Sequence, residues 1–353
     1  MTPRRHDPAG TLVTRAAARH GSVALLLALC LLAGPPPRAQ AADPVEPSAH
    51  TSAARRAMVT GALRYLAASQ REDGTWNDTH GEQPGVAALV LLAFLASGED
   101  PVAGPYATAI RRSLEVILQA VRAEDGFIGA SMYNHALSVL ALAEACGELP
   151  DERLDTALRE GVRLLLRAQS GNARSAWRYS PRSLDADAPV SAACLIALAA
   201  AHNAGQNLPA NAVDQGTAFL LSCRAPDGGF GYTGPGESSP PRSAACILAL
   251  ALLRGPATEA VRSGCAYIEK QGAGSPQYPF YYRLYAAAAL AVADPAAWAR
   301  WDRENAAQLR SSQTDSGAWG GPQGSVFSTA AAVLSLTAAD RVLPFLQQAP
   351  TEK

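Results

Sequence analysis

Two carboxylates stand two residues apart in Asp185-Ala186-Asp187-Ala188, just ahead of Pro189 and a long alanine-rich stretch. Neighbouring carboxyl groups can hold one proton between them at raised pKa, which makes this pair a candidate general acid. The same residues have a structural use. Asp is a favoured N-cap and Pro suits a first helical turn, so Asp187 is equally placed to cap a helix beginning near Pro189. A helix N-terminus stabilises the ionised form, which opposes protonation. His135, which follows Tyr133-Asn134, opens another apolar stretch. Neutral imidazole there could act as a base, hydrogen-bond an Asp across a ring mouth, or simply cap and pack. Tyr278, Tyr281/Tyr282 and Tyr285 fall at i, i+3/i+4 and i+7, one helical face. Facing inward, such a stripe stabilises a cation or stacks on a sugar or isoprenoid; otherwise it fills space that alanines leave. Tyr133 and Trp177 complete the aromatic candidates.

These residues sit in a unit that recurs six times. Each is an apolar helix pattern, a Gly-rich turn with an aromatic, then an alanine-rich helix pattern. The turns centre on Gly74, Gly126, Gly171, Gly228, Gly272 and Gly317. A left-handed glycine just past a helix is the expected C-terminal cap, with the aromatic folding back over the helix end. The second helices, such as 86–96 (VAALVLLAFLA) and 243–253 (SAACILALALL), are apolar nearly all round and predict burial on every side. The first helices, such as 107–122, carry charge on one face. A repeat of two helices cannot bury either alone, so neighbours must stack. Six buried inner helices and six amphipathic outer ones are expected, extended as a solenoid or closed as a ring. Residues 55–340 form this region as one domain, with 341–353 as a tail.

The composition is 48% hydrophobic and 17% charged, with a net charge of −1. There is no basic run and no basic patch interleaved with aromatics, which argues against a nucleic-acid partner. A cleavable export signal is expected over 1–41. Arg4, Arg5, Arg15 and Arg19 precede an eleven-residue apolar core at 23–33, too short to span a bilayer comfortably, and Ala39-Gln40-Ala41 is an A-x-A site. Residues 42–54 then read as a linker. A periplasmic or secreted location follows, an uncleaved membrane anchor being the alternative. Five cysteines remain beyond the signal, an odd number with no CxxC. They read as small core residues, although a bridge such as Cys223–Cys265 stays open.

Gly61-Ala-Leu-Arg-Tyr-Leu-Ala-Ala-Ser-Gln70…Gly74-Thr-Trp76 resembles the QW repeat of squalene and hopene cyclases, within the broader prenyltransferase and squalene-oxidase repeat. The segments 132–136 (MYNHA), 185–188 (DADA) and 281–287 (YYRLYAA) resemble landmarks of exported bacterial toroids labelled terpene cyclase-like. The resemblance covers most of 55–340. It implies an all-α, (α/α)6 toroid of six helical hairpins around a cavity, acting alone as a monomer. It further implies an isoprenoid or other apolar small molecule, bound or transformed there by terpene cyclase- or isomerase-like acid catalysis. Hopene cyclases protonate their substrate from a D-x-D-D motif; here Ala188 stands where the last Asp would be. On this resemblance Asp187, Asp185 and His135 are the catalytic candidates. Tyr133, Tyr281, Tyr282, Tyr285 and Trp177 are the ligand-binding ones. Protein prenyltransferases hold zinc through Asp, Cys and His. No D-x-C occurs beyond the signal, and His50, His80, His135 and His202 lack ligand spacing, so no metal or other cofactor is expected. Thr79-His80-Gly81-Glu82-Gln83-Pro84 resembles the C-G-E-Q thioester motif, but His80 replaces its cysteine, leaving a polar loop. The alternative to a ligand pocket is a non-catalytic periplasmic binding or scaffold toroid.

Overall fold

The computed structural model describes residues 53–347 apart from Pro276. The expected signal and most of the linker lie outside the described residues. Twelve α-helices run in order: α1 Ala53–Ala68, α2 Pro84–Ala96, α3 Ala107–Gln119, α4 Met132–Ala145, α5 Arg153–Ser170, α6 Ala188–Asn203, α7 Ala210–Ser222, α8 Pro240–Arg254, α9 Glu259–Gln271, α10 Pro279–Ala293, α11 Pro295–Ser312 and α12 Ser325–Thr337. No helix among the described residues is long and apolar enough to cross a membrane.

The even-numbered helices are the alanine-rich ones. Every residue of α2 is buried, as are nearly all of α6 and α12. Small side chains on all faces let each pack on two inner neighbours and an outer helix at once. Each even helix packs against the next even helix, and α12 packs against α2, so the inner ring closes. The odd-numbered helices lie outside, with charge toward solvent. The packing partners differ from the sequence repeat by one step. An outer helix packs mainly on the inner helix before it in the chain, and α1 packs on α12. The first helix therefore belongs structurally to the last repeat, and the ends of the chain form the seam. Gln313 Nε2 donates to Met58 O at 2.9 Å, and Asp78 Oδ2 accepts from Val326 N at 2.6 Å. Arg55 pairs with Asp302 and donates to Leu336 O.

The repeated turns are tight loops and not simple helix caps. Helix α1 ends at Ala68, and Gly74 closes a turn with its N–H on Arg71 O. An antiparallel bridge between Gln70 and Trp76 follows. Only α5 and α9 end directly on their glycines, and Gly171 has φ −82°, not left-handed. Where Asp precedes the glycine, its Oδ1 accepts the N–H two residues on, as Asp73 does from Thr75, Asp125 from Phe127 and Asp227 from Gly229. The aromatic does fold back. Trp76, Trp177 and Trp319 donate their indole N–H to Leu66 O, Leu165 O and Leu309 O in the last turns of the outer helices just ended. The glutamine of the motif reaches the next outer helix: Gln70 Nε2 to Ala109 O, Gln169 Nε2 to Ala212 O.

Because every inner helix is entered from a Gly-rich turn, all six inner N-termini lie at one end of the ring. The other end is closed by the chain after α12. Residues 341–347, expected as a tail, pack on the toroid, with Leu343, Phe345 and Leu346 buried. Phe345 N donates to Glu144 Oε2 at 3.4 Å, and burial pushes the Glu144 carboxyl up to about 8.

Candidate functional site

A well of about 690 Å³ opens at the N-terminal end of the inner ring. Its walls come from the first turns of the inner helices and the loops that feed them. The volume lies within the ordinary range for small-molecule sites. One wall is aromatic. Tyr133 on α4 faces Tyr179 at 6.1 Å between ring centroids and Tyr281 on α10 at 6.3 Å, edge to face; Tyr281 and Tyr285 lie 4.7 Å apart. Leu89, Leu137 and Leu284 add apolar surface. Burial holds the hydroxyls of Tyr133, Tyr281 and Tyr285 above the ordinary tyrosine range, so all three are neutral phenols. The Tyr281 hydroxyl and Gln323 Oε1 are buried without a well-formed hydrogen bond, and both residues line the well.

A polar chain also lines the well. Gly85 N donates to Asn134 Oδ1 at 3.1 Å, which fixes the Asn134 amide. Its Nδ2 donates to Gln83 Oε1 at 3.0 Å, so Gln83 Nε2 meets His80 Nδ1 at 3.1 Å as a donor. This ordering assigns His80 the tautomer with its proton on Nε2. His80 and Tyr278 both line the well and both have left-handed backbone, φ 61° and 49°. Such strain in non-glycine residues gathers where function holds it.

Asp187 is fully buried and caps α6, its Oδ1 accepting from Val190 N at 2.9 Å. Its Oδ2 accepts from Tyr232 Oη at 3.3 Å and lies 3.6 Å from Arg178 Nε. Burial raises its pKa; the Val190 amide, Tyr232 and Arg178 oppose that rise. Asp187 does not itself line the well. Tyr232 stands between, joined in turn to the Tyr179 hydroxyl at 3.2 Å. Asp185 is exposed and ion-paired with Arg178, so the two carboxylates are bridged by a cation and do not share a proton.

The remaining sequence candidates lie elsewhere. His135 is buried between α4 and α5, both nitrogens occupied by backbone: Nδ1 accepts from Ile128 N at 3.1 Å and Nε2 donates to Gly161 O at 3.0 Å. Burial lowers its pKa to about 4 and keeps it neutral. Tyr282 points outward, its hydroxyl on Gly272 O at 2.7 Å and its ring edge-on to Trp301. Trp177 is a turn aromatic. The structure thus brings Tyr133, Tyr281 and Tyr285 together at the well and sets His135, Tyr282 and Trp177 apart from it. Sequence reading missed Tyr179, Tyr232, Arg242 and the His80–Gln83–Asn134 chain. Their common signal was position, since each lies within a turn or so of an inner-helix start or in a loop leading to one.

The same architecture occurs in solved structures. A type II terpene cyclase, MstE from Scytonema, superposes with a TM-score of 0.57 in its complex with merosterolic acid A, at 16% identity over 82% of this chain and 98% of that one. The chain carries the terpene cyclase-type toroid fold. A protein from Actinoplanes gives 0.54 at 16% identity, over 81% and 99% of the two chains. An inactive variant of an alpha-1,6-mannanase from Salegentibacter sp., in complex with alpha-1,6-mannotriose, gives 0.63 at 10% identity, over 82% and 99%. At these identities the likeness concerns fold alone. No protein-family model and no curated protein matches the sequence. Among the described residues no group of His, Cys, Asp and Glu could hold a metal ion, and the five described cysteines are unbridged.

Proposed function

We propose that the well binds an elongated apolar ligand of isoprenoid type. The observation that carries this reading is the tyrosine wall, with the buried Gln323 carbonyl left for an incoming polar atom or water. Tyrosine faces suit polyene chains, and buried polar groups without partners call for completion. The cyclase of the same fold is seen with geranylgeranyl dihydroxybenzoate as substrate, which fits this ligand class. Binding is favoured over acid catalysis because no carboxylate lines the well. Asp187 reaches a ligand only through Tyr232, and its capping bond and Arg178 both favour the carboxylate. On the sequence reading the chain works after export, with residues 1–41 removed; N-terminal sequencing of protein recovered from a periplasmic fraction tests that.

Native mass spectrometry of the purified protein, followed by a fluorescence titration with geranylgeraniol, tests the binding. A retained or added apolar ligand should bind in the micromolar range or tighter. Tyr281→Ala should weaken it about tenfold, from the aromatic contact and area lost. No retained ligand together with no saturable binding overturns the reading.

A further inference from the structure

We infer that the ligand of this well carries an anionic head, a carboxylate or phosphate, which seats against Arg242. The inference rests on the proposed apolar-ligand reading and specifies the other end of that molecule. Beside the well lies a second recess of about 600 Å³, formed by the loop 232–239 (YTGPGESS). Well and recess share Tyr232, Ser239, Arg242 and Gln277. Arg242 therefore stands where an apolar chamber meets a polar one.

Among the described residues its charge has no ion-pair partner. The Tyr232 ring lies between two guanidinium groups, Arg178 at 5.8 Å and Arg242 at 5.4 Å from the ring centre. Arg178 is neutralised by Asp185 and Asp187. Arg242 forms no ion pair; its Nη1 donates to Phe230 O at 3.3 Å and to Glu237 O at 2.9 Å, both backbone carbonyls. Both bonds use Nη1, and among the described residues Nη2 and Nε have no acceptor. Of the residues lining the recess, Glu237 carries the carboxylate, which is exposed and makes no ion pair with Arg242; just outside the lining, Asp227 Oδ2 accepts from Ser238 Oγ at 2.6 Å. The N–H groups of Glu237, Ser238 and Ser239 find no acceptor among the described residues, and Ser239, the N-cap of α8, places no side-chain cap on it. A fork of free N–H groups beside uncapped amides suits carboxylate or phosphate oxygens, which a hydroxyl head cannot match. The apolar tail then extends from the head past Tyr232 into the tyrosine wall.

The test compares three probes with one tail: geranylgeraniol, geranylgeranoic acid and geranylgeranyl phosphate. Binding is read by fluorescence titration and calorimetry on the whole protein. The wild type should bind at least one anionic probe 10- to 100-fold more tightly than the alcohol, the usual size of a charge-assisted pair. Arg242→Gln should remove that preference, bringing the anionic probes to within about threefold of geranylgeraniol on the same variant, and its thermal melt shows that the variant is folded. Arg242→Lys should keep part of the preference. If the alcohol binds as tightly as both anions, or if the preference survives Arg242→Gln, the anionic head is wrong although the apolar pocket stands. If none of the three binds, the apolar-ligand reading falls and this inference with it.

Discussion

Glu144 offers the sharpest test of the packing at the closed end of the ring. It is 2% exposed, on an inner helix, with its Oε2 under the Phe345 amide of the segment that plugs the ring. Burial raises its pKa from 4.5 to about 8. The unfolded chain thus releases this proton at lower pH than the folded one. Stability from this group is complete below 4.5 and is lost as pH climbs to 8, by about 5 kcal/mol in all at 1.36 kcal/mol per pH unit. His135 works in the opposite sense. Its folded pKa of about 4, against 6.5 unfolded, gives stability that is present above 6.5 and lost as pH falls toward 4. Between pH 5 and 6.5 the two nearly cancel, at about 2 kcal/mol each. From 6.5 to 8 only Glu144 acts, and the wild type should lose about 2 kcal/mol relative to a chain without it. Glu144→Gln removes the titration and keeps an acceptor for Phe345 N. Its stability should rise by about 2 kcal/mol from pH 5 to 6.5 and then stay level to pH 8. Urea denaturation of both proteins at half-unit steps of pH measures the difference between the curves, in which other titrating groups drop out. Parallel curves for the two proteins from pH 5 to 8 would refute the reasoning, because Glu144 would then ionise equally in both states and could not be buried under Phe345.

Three further outcomes follow from the same coordinates. Gly317→Ala should destabilise the ring by about 2–4 kcal/mol in thermal melts: the new Cβ would lie 2.3 Å from Gly61 O, at a backbone φ of +89°. The same substitution at Gly98, whose φ is +72° but whose Cβ would meet nothing within 4 Å, should cost only about 1 kcal/mol, so equal losses would deny that the seam is closed. Asp187→Asn should melt within about 1 kcal/mol of the wild type, since Asn also caps a helix, whereas Asp187→Ala should lose about 1–2 kcal/mol. If the Asn variant instead binds geranylgeraniol normally yet abolishes turnover of a polyprenyl substrate, acid catalysis replaces binding as the function.

The ring was legible in the sequence because its devices are local. A helix apolar on all sides, as at 86–96, has to be surrounded, and six of them need a common centre. The turn aromatics were readable for a similar reason: an indole two or three residues after a tight turn can reach only the helix just ended. Residues whose role depends on direction were not readable. Tyr281 and Tyr282 are adjacent, yet one enters the well and the other meets Trp301, because consecutive helical positions differ by about 100° around the axis. A three-residue face could be drawn through either. His135 lies one position from Asn134, and the same rotation takes it from the mouth into the α4–α5 contact. Asp187 was legible in its capping role, since Asp-Ala-Pro before an apolar helix carries the cap and first turn together. Its distance from the well was not, since Tyr232, 45 residues later in the chain, is what intervenes.

The placement of the well follows from the ring itself. Residues 341–347 pack over the end of the ring where the inner helices finish. The well opens at the other end, where the inner helices begin. That end also gathers six sets of helix-start amides, of which Ser131 and Asp187 cap their own with side chains while the starts of α2, α8 and α10 have no such cap. A toroid built this way has an apolar interior and a donor-rich rim wherever its caps are omitted. The mannanase and the terpene cyclase share this fold and are seen with ligands as unlike as a mannotriose and a merosterolic acid, so the fold by itself does not choose a ligand. In this chain the rim places Arg242 and His80 beside the tyrosine faces, and those are the residues that the proposed acidic amphiphile would meet first.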